Sequence, residues 1–404
     1  MASPTAPVLE QRLHLLEMSS VFWQLGTGPL RSLTRRMSDL AISAGQTLLL
    51  KPDAHDAVIF LAAGSCDRTI ADKSGKILLT RTQLPGDQVI LPPATARERF
   101  KITIRAEVDS AFISLDREAI EQSLGAAAQP VTKALDQLWE QEVEAFGAQP
   151  APAGRPAGQV VAFCSVKGGA GATTLAVNTS AALAADRPAE VVLLDLSVPY
   201  GHAVLYADLI ATGSVVTASY ASGDGFGSAL RGAVLHHRSG LSVLPGALRP
   251  EEADLLTGEL VSRTLTELGS VYRVVVTDVG TSLSEGALMV IERARRLVLV
   301  VPPEVAALTD ARRALGVFID LMGVPEQRID LVLNQRVPHP PLDRASVESV
   351  LGREVNLSIG YDGSKPEAAT LAGGLVLQRD PESAMSRGAV ELARQLAVKI
   401  GLEV

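Results

Sequence analysis

The stretch from Val160 to Thr174, VVAFCSVKGGAGATT, constrains this 404-residue chain more than any other. The apolar run Val160–Cys164 leads into Gly168, Gly169 and Gly171, and a helix is predicted to begin near Thr173 and run through Leu175, Leu183 and the alanines between them. A short run that is apolar throughout reads as a buried strand. Glycines let backbone N–H groups approach a ligand closely. A helix N-terminus adds unpaired N–H groups and the positive end of its dipole. Strand, glycine loop and helix in that order make a phosphate cradle, and the Thr173 hydroxyl falls where a Mg2+ ligand is needed.

The same alternation continues downstream. Val191–Leu194, Ser242–Leu244, Val274–Thr277, Leu297–Val301 and Ile329–Leu333 are continuous apolar runs separated by amphipathic helical stretches. Runs apolar on both faces suit a mostly parallel sheet with helices on each side. Upstream the pattern differs. Thr47–Leu50, Ala57–Leu61, Ile77–Thr80, Gln88–Leu91, Lys101–Ala106 and Ala111–Leu115 are short runs punctuated by Gly and Asp. They predict an antiparallel sandwich or barrel. Helical stretches flank it at Leu30–Leu40, Arg117–Leu124 and Val131–Phe146. Between the halves lies GAQPAPAGRPAG, Gly147–Gly158, rich in Pro, Gly and Ala and without apolar periodicity; this reads as a linker. The expected fold class is therefore α/β, a C-terminal mostly parallel sheet with flanking helices preceded by an antiparallel β domain. The expected divisions are an extension 1–19, the antiparallel β domain with its helix 20–146, a linker 147–158 and a phosphate-loop domain 159–404.

Charge and composition exclude several functions. The net charge is −8 and aromatics are 4% of the chain, so neither a nucleic-acid surface nor an anionic membrane surface is expected. Cys66 and Cys164 cannot form a disulfide framework. The opening MASPTAPVLEQRLHLLEMSS lacks a basic segment followed by an apolar run, so the expectation is a cytoplasmic protein. His14, His55, His202, His236, His237 and His339 form no zinc motif, and there is no G-x-S-x-G elbow. The adjacent His236 and His237 are expected at the surface, and Glu251-Glu252 as a solvated helix start.

The loop Lys167-Gly-Gly-Ala-Gly-Ala-Thr-Thr174 resembles the deviant Walker A motif, KGGxGKT[ST], of the ParA/MinD superfamily of dimeric ATPases. The resemblance implies ATP or ADP with Mg2+ as cofactor and a homodimer. It makes Lys167 the signature lysine that reaches the partner's nucleotide. Gly168, Gly169, Gly171, Ala172, Thr173 and Thr174 become the phosphate contacts, and Thr173 a Mg2+ ligand. Ala172 stands where the family has its loop lysine. Losing that charge-assisted hydrogen bond removes roughly 1.5–3 kcal/mol, about tenfold to a hundredfold in affinity. Val191-Val-Leu-Leu-Asp195-Leu-Ser197 resembles the family's D-x-D strand end. Asp195 takes the catalytic first position, while Ser197 replaces the second Asp and cannot orient water through a negative charge. Val274-Val-Val-Thr-Asp278 resembles Walker B, with Asp278 at the metal, and Leu331-Val-Leu-Asn334 resembles the strand whose Asn meets the adenine.

Leu235–Leu256, LHHRSGLSVLPGALRPEEADLL, is similar to the CpaE/TadZ branch, as are Pro303–Arg312 and Ile329–Asn334. That branch implies a factor that positions and assembles a Tad (Flp) pilus or related secretion machine and recruits its motor ATPase, at a pole, septum or inner-membrane complex, with little or no hydrolysis. An active cargo-moving ATPase and a cyclic-nucleotide-controlled sensor are the alternatives. Ser383–Val404 lacks the basic face of a membrane-targeting helix and is expected to pack on the sheet. Ser20–Leu124 departs from the branch and resembles a CRP-type cyclic-nucleotide-binding roll, on Leu30–Leu33, Ile42–Gln46, Phe60–Gly64, Leu84–Asp87, Ile102–Ala106 and Phe112–Arg117. Its ligand cassette is degenerate. No Gly-Glu pair follows Gly86-Asp87, and Phe100 sits where the phosphate-binding Arg belongs, leaving Arg97, Arg99 and Arg105 as substitutes.

Overall fold

A computed structural model describes residues 6–19, 21–22, 25–48, 57–83, 85–93, 99–145, 158–221 and 225–402. The chain divides into two compact units: 1–148 with 210–213 and 220–233, and 149–209 with 214–219 and 234–404. Most of the expected linker, and Arg97, lie outside the described residues.

The first unit holds two antiparallel sheets. One orders its strands β1 (Ser38–Ile42), β7 (Ser110–Asp116), β2 (Ala57–Ala63) and β5 (Gln88–Ile90); the other orders β4 (Ile77–Gln83), β3 (Cys66–Asp72) and β6 (Phe100–Ala106). Ile59, Leu61, Cys66, Val89, Ile104 and Phe112 form one buried cluster. A second cluster joins Phe60, Ile70 and Leu115 to Leu135, Leu138 and Trp139 of the helix Ala128–Ala145, and to Leu15 and Leu16 of the helix Ala6–Met18. Two expectations need correction. The helical stretch Leu30–Leu40 ends early: a helix spans Thr27–Thr34, and Ser38–Ile42 is β1, paired with β7. The strand β3 was not anticipated, because Asp67, Arg68 and Thr69 break its apolar character. Arg68 is nonetheless fully buried, and its guanidinium donates to both carboxylate oxygens of Glu142 at 2.9 and 2.5 Å. Both fork donors are matched, which is what allows the charge to be buried.

The second unit is an eight-stranded sheet. It contains β8 (Gln159–Ser165), β9 (Val191–Asp195), β10 (Leu235–His236), β11 (Ser242–Pro245), β12 (Val274–Asp278), β13 (Arg296–Val301), β14 (Ile329–Asn334) and β15 (Leu357–Ile359). The order is β10-β11-β9-β12-β8-β13-β14-β15, parallel throughout except for the β10–β11 pair. Every residue of β9, β12 and β14 is buried, as a sheet covered on both faces requires. All six expected strands are present. The two additional ones, β10 and β15, are edge strands of two and three residues.

The helix Ala384–Lys399 packs against the helix Ala172–Asp186 and buries Ala389, Leu392 and Leu396. Asp330, wholly buried on β14, accepts from Arg296 Nε at 2.8 Å and from Lys399 Nζ at 2.6 Å, tying this last helix to the sheet. Among the described residues, no helix is long and apolar enough to cross a membrane.

Candidate nucleotide site

Four strands end at one place. Ser165, Asp195, Asp278 and Asn334 are the last residues of β8, β9, β12 and β14. From β8 the sheet extends in both directions, to β12 and β9 on one side and to β13 and β14 on the other. Open parallel sheets bind ligands in the crevice at the carboxyl ends of their strands where the order reverses. A cavity of about 690 Å³ lies here, lined by Gly168–Thr174, Ser197–Tyr200, His202, Tyr206, Gly280, Thr281, Arg336, Pro366, Glu367, Thr370 and Leu371.

The phosphate loop is built by its glycines. Gly169 and Gly171 take φ of 76° and 92°, a region that L side chains avoid. A Cβ on Gly171 would stand 2.4 Å from Asn334 Nδ2. That amide donates to the Ala170 carbonyl at 2.7 Å, and Asn334 is almost fully buried. Asn334 therefore buttresses the loop from beneath. The helix begins at Ala172, with Gly171 as its N-cap and no side chain capping it, so its first N–H groups meet the cavity.

Thr173 Oγ1 donates to Asp278 Oδ2, and Gly280 N donates to Asp278 Oδ1 at 3.1 Å. One hydroxyl and one carboxylate, completed by phosphate oxygens and water, is a donor set that Mg2+ takes at phosphate sites. Among the described residues no cluster of three or more His, Cys, Asp or Glu holds a metal unaided, so the fit requires the phosphates.

Asp195 is also buried. Its carboxylate accepts from Ser197 N at 3.0 Å and Ala203 N at 2.9 Å. It thus fixes the loop between them. Burial raises its pKa, and these backbone donors partly offset the rise. Burial also raises the pKa of Asp278, and the neighbouring Asp195 charge adds to it. Two buried carboxylates side by side favour protonation or a cation. Ser197, at the position where the resemblance expects a second Asp, lies against Gly280, where a Cβ would be 2.6 Å from Ser197 Oγ.

Lys167 forms an ion pair with Glu304, which follows β13. Thr174 hydrogen-bonds Tyr206, whose ring stacks with His202 at 6.2 Å, and burial raises the Tyr206 pKa. Arg336 meets Glu367 at 3.3 Å. Glu304, Tyr206, Arg336 and Glu367 were not singled out by the sequence, since only the strand order brings them to the loop.

Two surface expectations are corrected. His237 is buried in the β10–β11 turn, where its Nδ1 meets Ser239 Oγ at 2.8 Å, and burial pushes its pKa down to about 4. Glu252 is buried rather than solvated and accepts from Leu248 N and Arg249 N at 2.8 and 3.3 Å.

No family model matches the chain. It is 24% identical over 241 residues to a protein of Methanocaldococcus jannaschii described as an uncharacterized ATP-binding protein, covering 58% of this chain and 86% of that one. A ParA family ATPase from Chlorobium tepidum superposes with a TM-score of 0.53 at 27% identity, over 59% of this chain and 99% of its own. The cell division ATPase MinD of Pyrococcus furiosus superposes with a TM-score of 0.51 at 22% identity, over 60% and 99% of the two chains. The parallel sheet, its order and the loop at its centre give this part of the chain the ParA/MinD ATPase fold.

Proposed function

We propose that the chain is a nucleotide-dependent positioning and assembly factor of a Tad-type pilus or related secretion machine, binding ATP with Mg2+ weakly and turning it over slowly or not at all. The observation that carries this reading is a retained phosphate cradle with two charges missing from it. The glycine loop, Thr173 and Asp278 are in place, whereas Ala172 and Ser197 stand where the family's loop lysine and second Asp would be. Holding phosphate needs amide donors and a dipole; cleaving it needs an oriented water and a charge on the leaving oxygens. The named ATP binding of the archaeal relative supports a nucleotide ligand. The segment Leu235–Leu256 supports the CpaE/TadZ branch. A factor of that branch would act as a homodimer and recruit the motor ATPase of its machine, and its place of action would be the inner-membrane complex, pole or septum.

Equilibrium dialysis with ATP and Mg2+, run beside a phosphate-release assay, tests the biochemical half. Saturable binding with turnover far below that of the Ala172→Lys variant is the expected result. Brisk turnover by the wild type would favour an active cargo-moving ATPase instead. Loss of surface pili in a deletion strain, restored by the wild-type chain, tests the cellular half.

The N-terminal roll is read as a docking module that has lost its ligand cassette. Supporting this, Phe100 packs edge-to-face on Trp139 at 5.7 Å, and Arg99 lies over the Phe100 ring at 5.5 Å. Calorimetric titration with cyclic AMP, cyclic GMP and cyclic di-GMP should give no heat at micromolar ligand. A saturable signal would make the roll a sensor.

A further inference from the structure

The cavity has no loop lysine, yet it contains another cation. Ala172 presents only a methyl group to it. Lys167 is engaged by Glu304 and is not part of the lining. Among the described residues that line the cavity, Arg336 is the sole Lys or Arg. It lies two residues beyond Asn334, whose amide is bonded to Ala170 of the loop, so the backbone carrying Arg336 is fixed to the backbone of the cradle.

The arginine's current partner is replaceable. Arg336 Nη2 meets Glu367 Oε1 at 3.3 Å, with the two side chains 33% and 56% exposed. A single long contact between open side chains contributes little net free energy. A guanidinium presents a planar fork of donors that matches a phosphate in bidentate fashion, and a polyphosphate brings more negative charge than one carboxylate. Glu367 in turn lines the same cavity and repels any anion entering it.

We propose that Arg336 is the phosphate-binding cation of this site, compensating for the missing loop lysine, and that an entering nucleoside polyphosphate displaces Glu367 from it. This assignment rests on the reading of the cavity as a nucleotide site. Glu367 then acts as a gatekeeper that lowers affinity until phosphate takes the guanidinium.

Equilibrium dialysis of the full chain with Mg2+ and ATP tests both parts. Arg336→Ala weakens binding by about tenfold to a hundredfold, Arg336→Lys retains part of the affinity, and Glu367→Gln tightens it. Ala172→Lys tightens binding more in the Arg336→Ala background than in the wild type, because a loop cation and Arg336 on the same phosphates are partly redundant; an equal gain in both backgrounds is that of a merely structural arginine and overturns the assignment. Wild-type affinity in Arg336→Ala, or a loss that neither Ala172→Lys nor Arg336→Lys relieves, overturns the assignment and leaves the nucleotide reading standing. Absence of saturable binding by the wild type itself removes the nucleotide reading and the assignment together.

Discussion

Asp195 and Asp278 stand abreast in the register of β9 and β12, both buried and both at the carboxyl end of their strand. Burial raises the cost of ionising both, and the Asp195 charge adds to it at Asp278. A carboxyl with a raised pKa binds more protons folded than unfolded between its two pKa values, so stability is lost as pH rises through the folded value. Asp278→Asn removes one of the two charges while keeping an acceptor for Gly280 N. It should stabilise the nucleotide-free chain at pH 8 by about 1–2 kcal/mol, a gain that shrinks as the pH is lowered toward 4. Scanning calorimetry across that range checks this; a pH-independent effect would contradict it.

His237 should give the opposite slope. Its pKa is depressed from 6.5 to about 4 by burial. The unfolded chain then takes up a proton that the folded chain refuses, so stability is full above about pH 6.5 and falls as pH drops toward 4. The loss amounts to about 3 kcal/mol. His237→Gln should flatten this acid limb in urea unfolding monitored by circular dichroism.

Gly171 and Asn334 should be coupled. Gly171→Ala introduces both a strained φ and a contact of 2.4 Å with the Asn334 amide. It should cost about 1–3 kcal/mol and abolish detectable ATP binding. In Gly171→Ala combined with Asn334→Ala, the steric part of the cost disappears and the backbone part remains. A double-mutant cycle on unfolding free energies would therefore show a non-zero coupling.

Glu304 should restrain Lys167 rather than stabilise the fold. The pair is partly exposed, so Glu304→Gln should change stability by less than about 1 kcal/mol. In the proposed homodimer the resemblance gives Lys167 the partner's nucleotide as its target, so freeing this lysine should increase self-association with ATP and Mg2+. Sedimentation velocity of the two proteins, with and without nucleotide, reads this directly.

The strands of the second unit were legible because both of their faces are buried, which leaves an uninterrupted apolar run. The phosphate loop was legible for a different reason: its glycines serve a local backbone geometry that needs no knowledge of the rest of the chain. β3 was not legible, because Arg68 looks like a solvated residue until Glu142 is seen beside it. Glu304 and Arg336 were missed on similar grounds. Each follows the end of a strand, and only the adjacency of β8, β13 and β14 carries it to the loop. Asn334 was expected to meet the base on the strength of resemblance. What the structure gives it is a hydrogen bond to Ala170, a contact that no spacing encodes. His237 and Glu252 were expected in solvent because charged or polar residues near turns usually are. Their burial depends on hydrogen bonds to backbone and to a neighbouring serine that sequence alone does not reveal.

The contact between Ser197 and Gly280 joins the loop after β9 to the loop after β12. Gly280 has a φ of 67° and also borders a smaller hollow of about 200 Å³ that reaches Arg313 and Phe318. A side chain at position 280 would collide with Ser197, so the two loops can lie this close only while that position stays glycine.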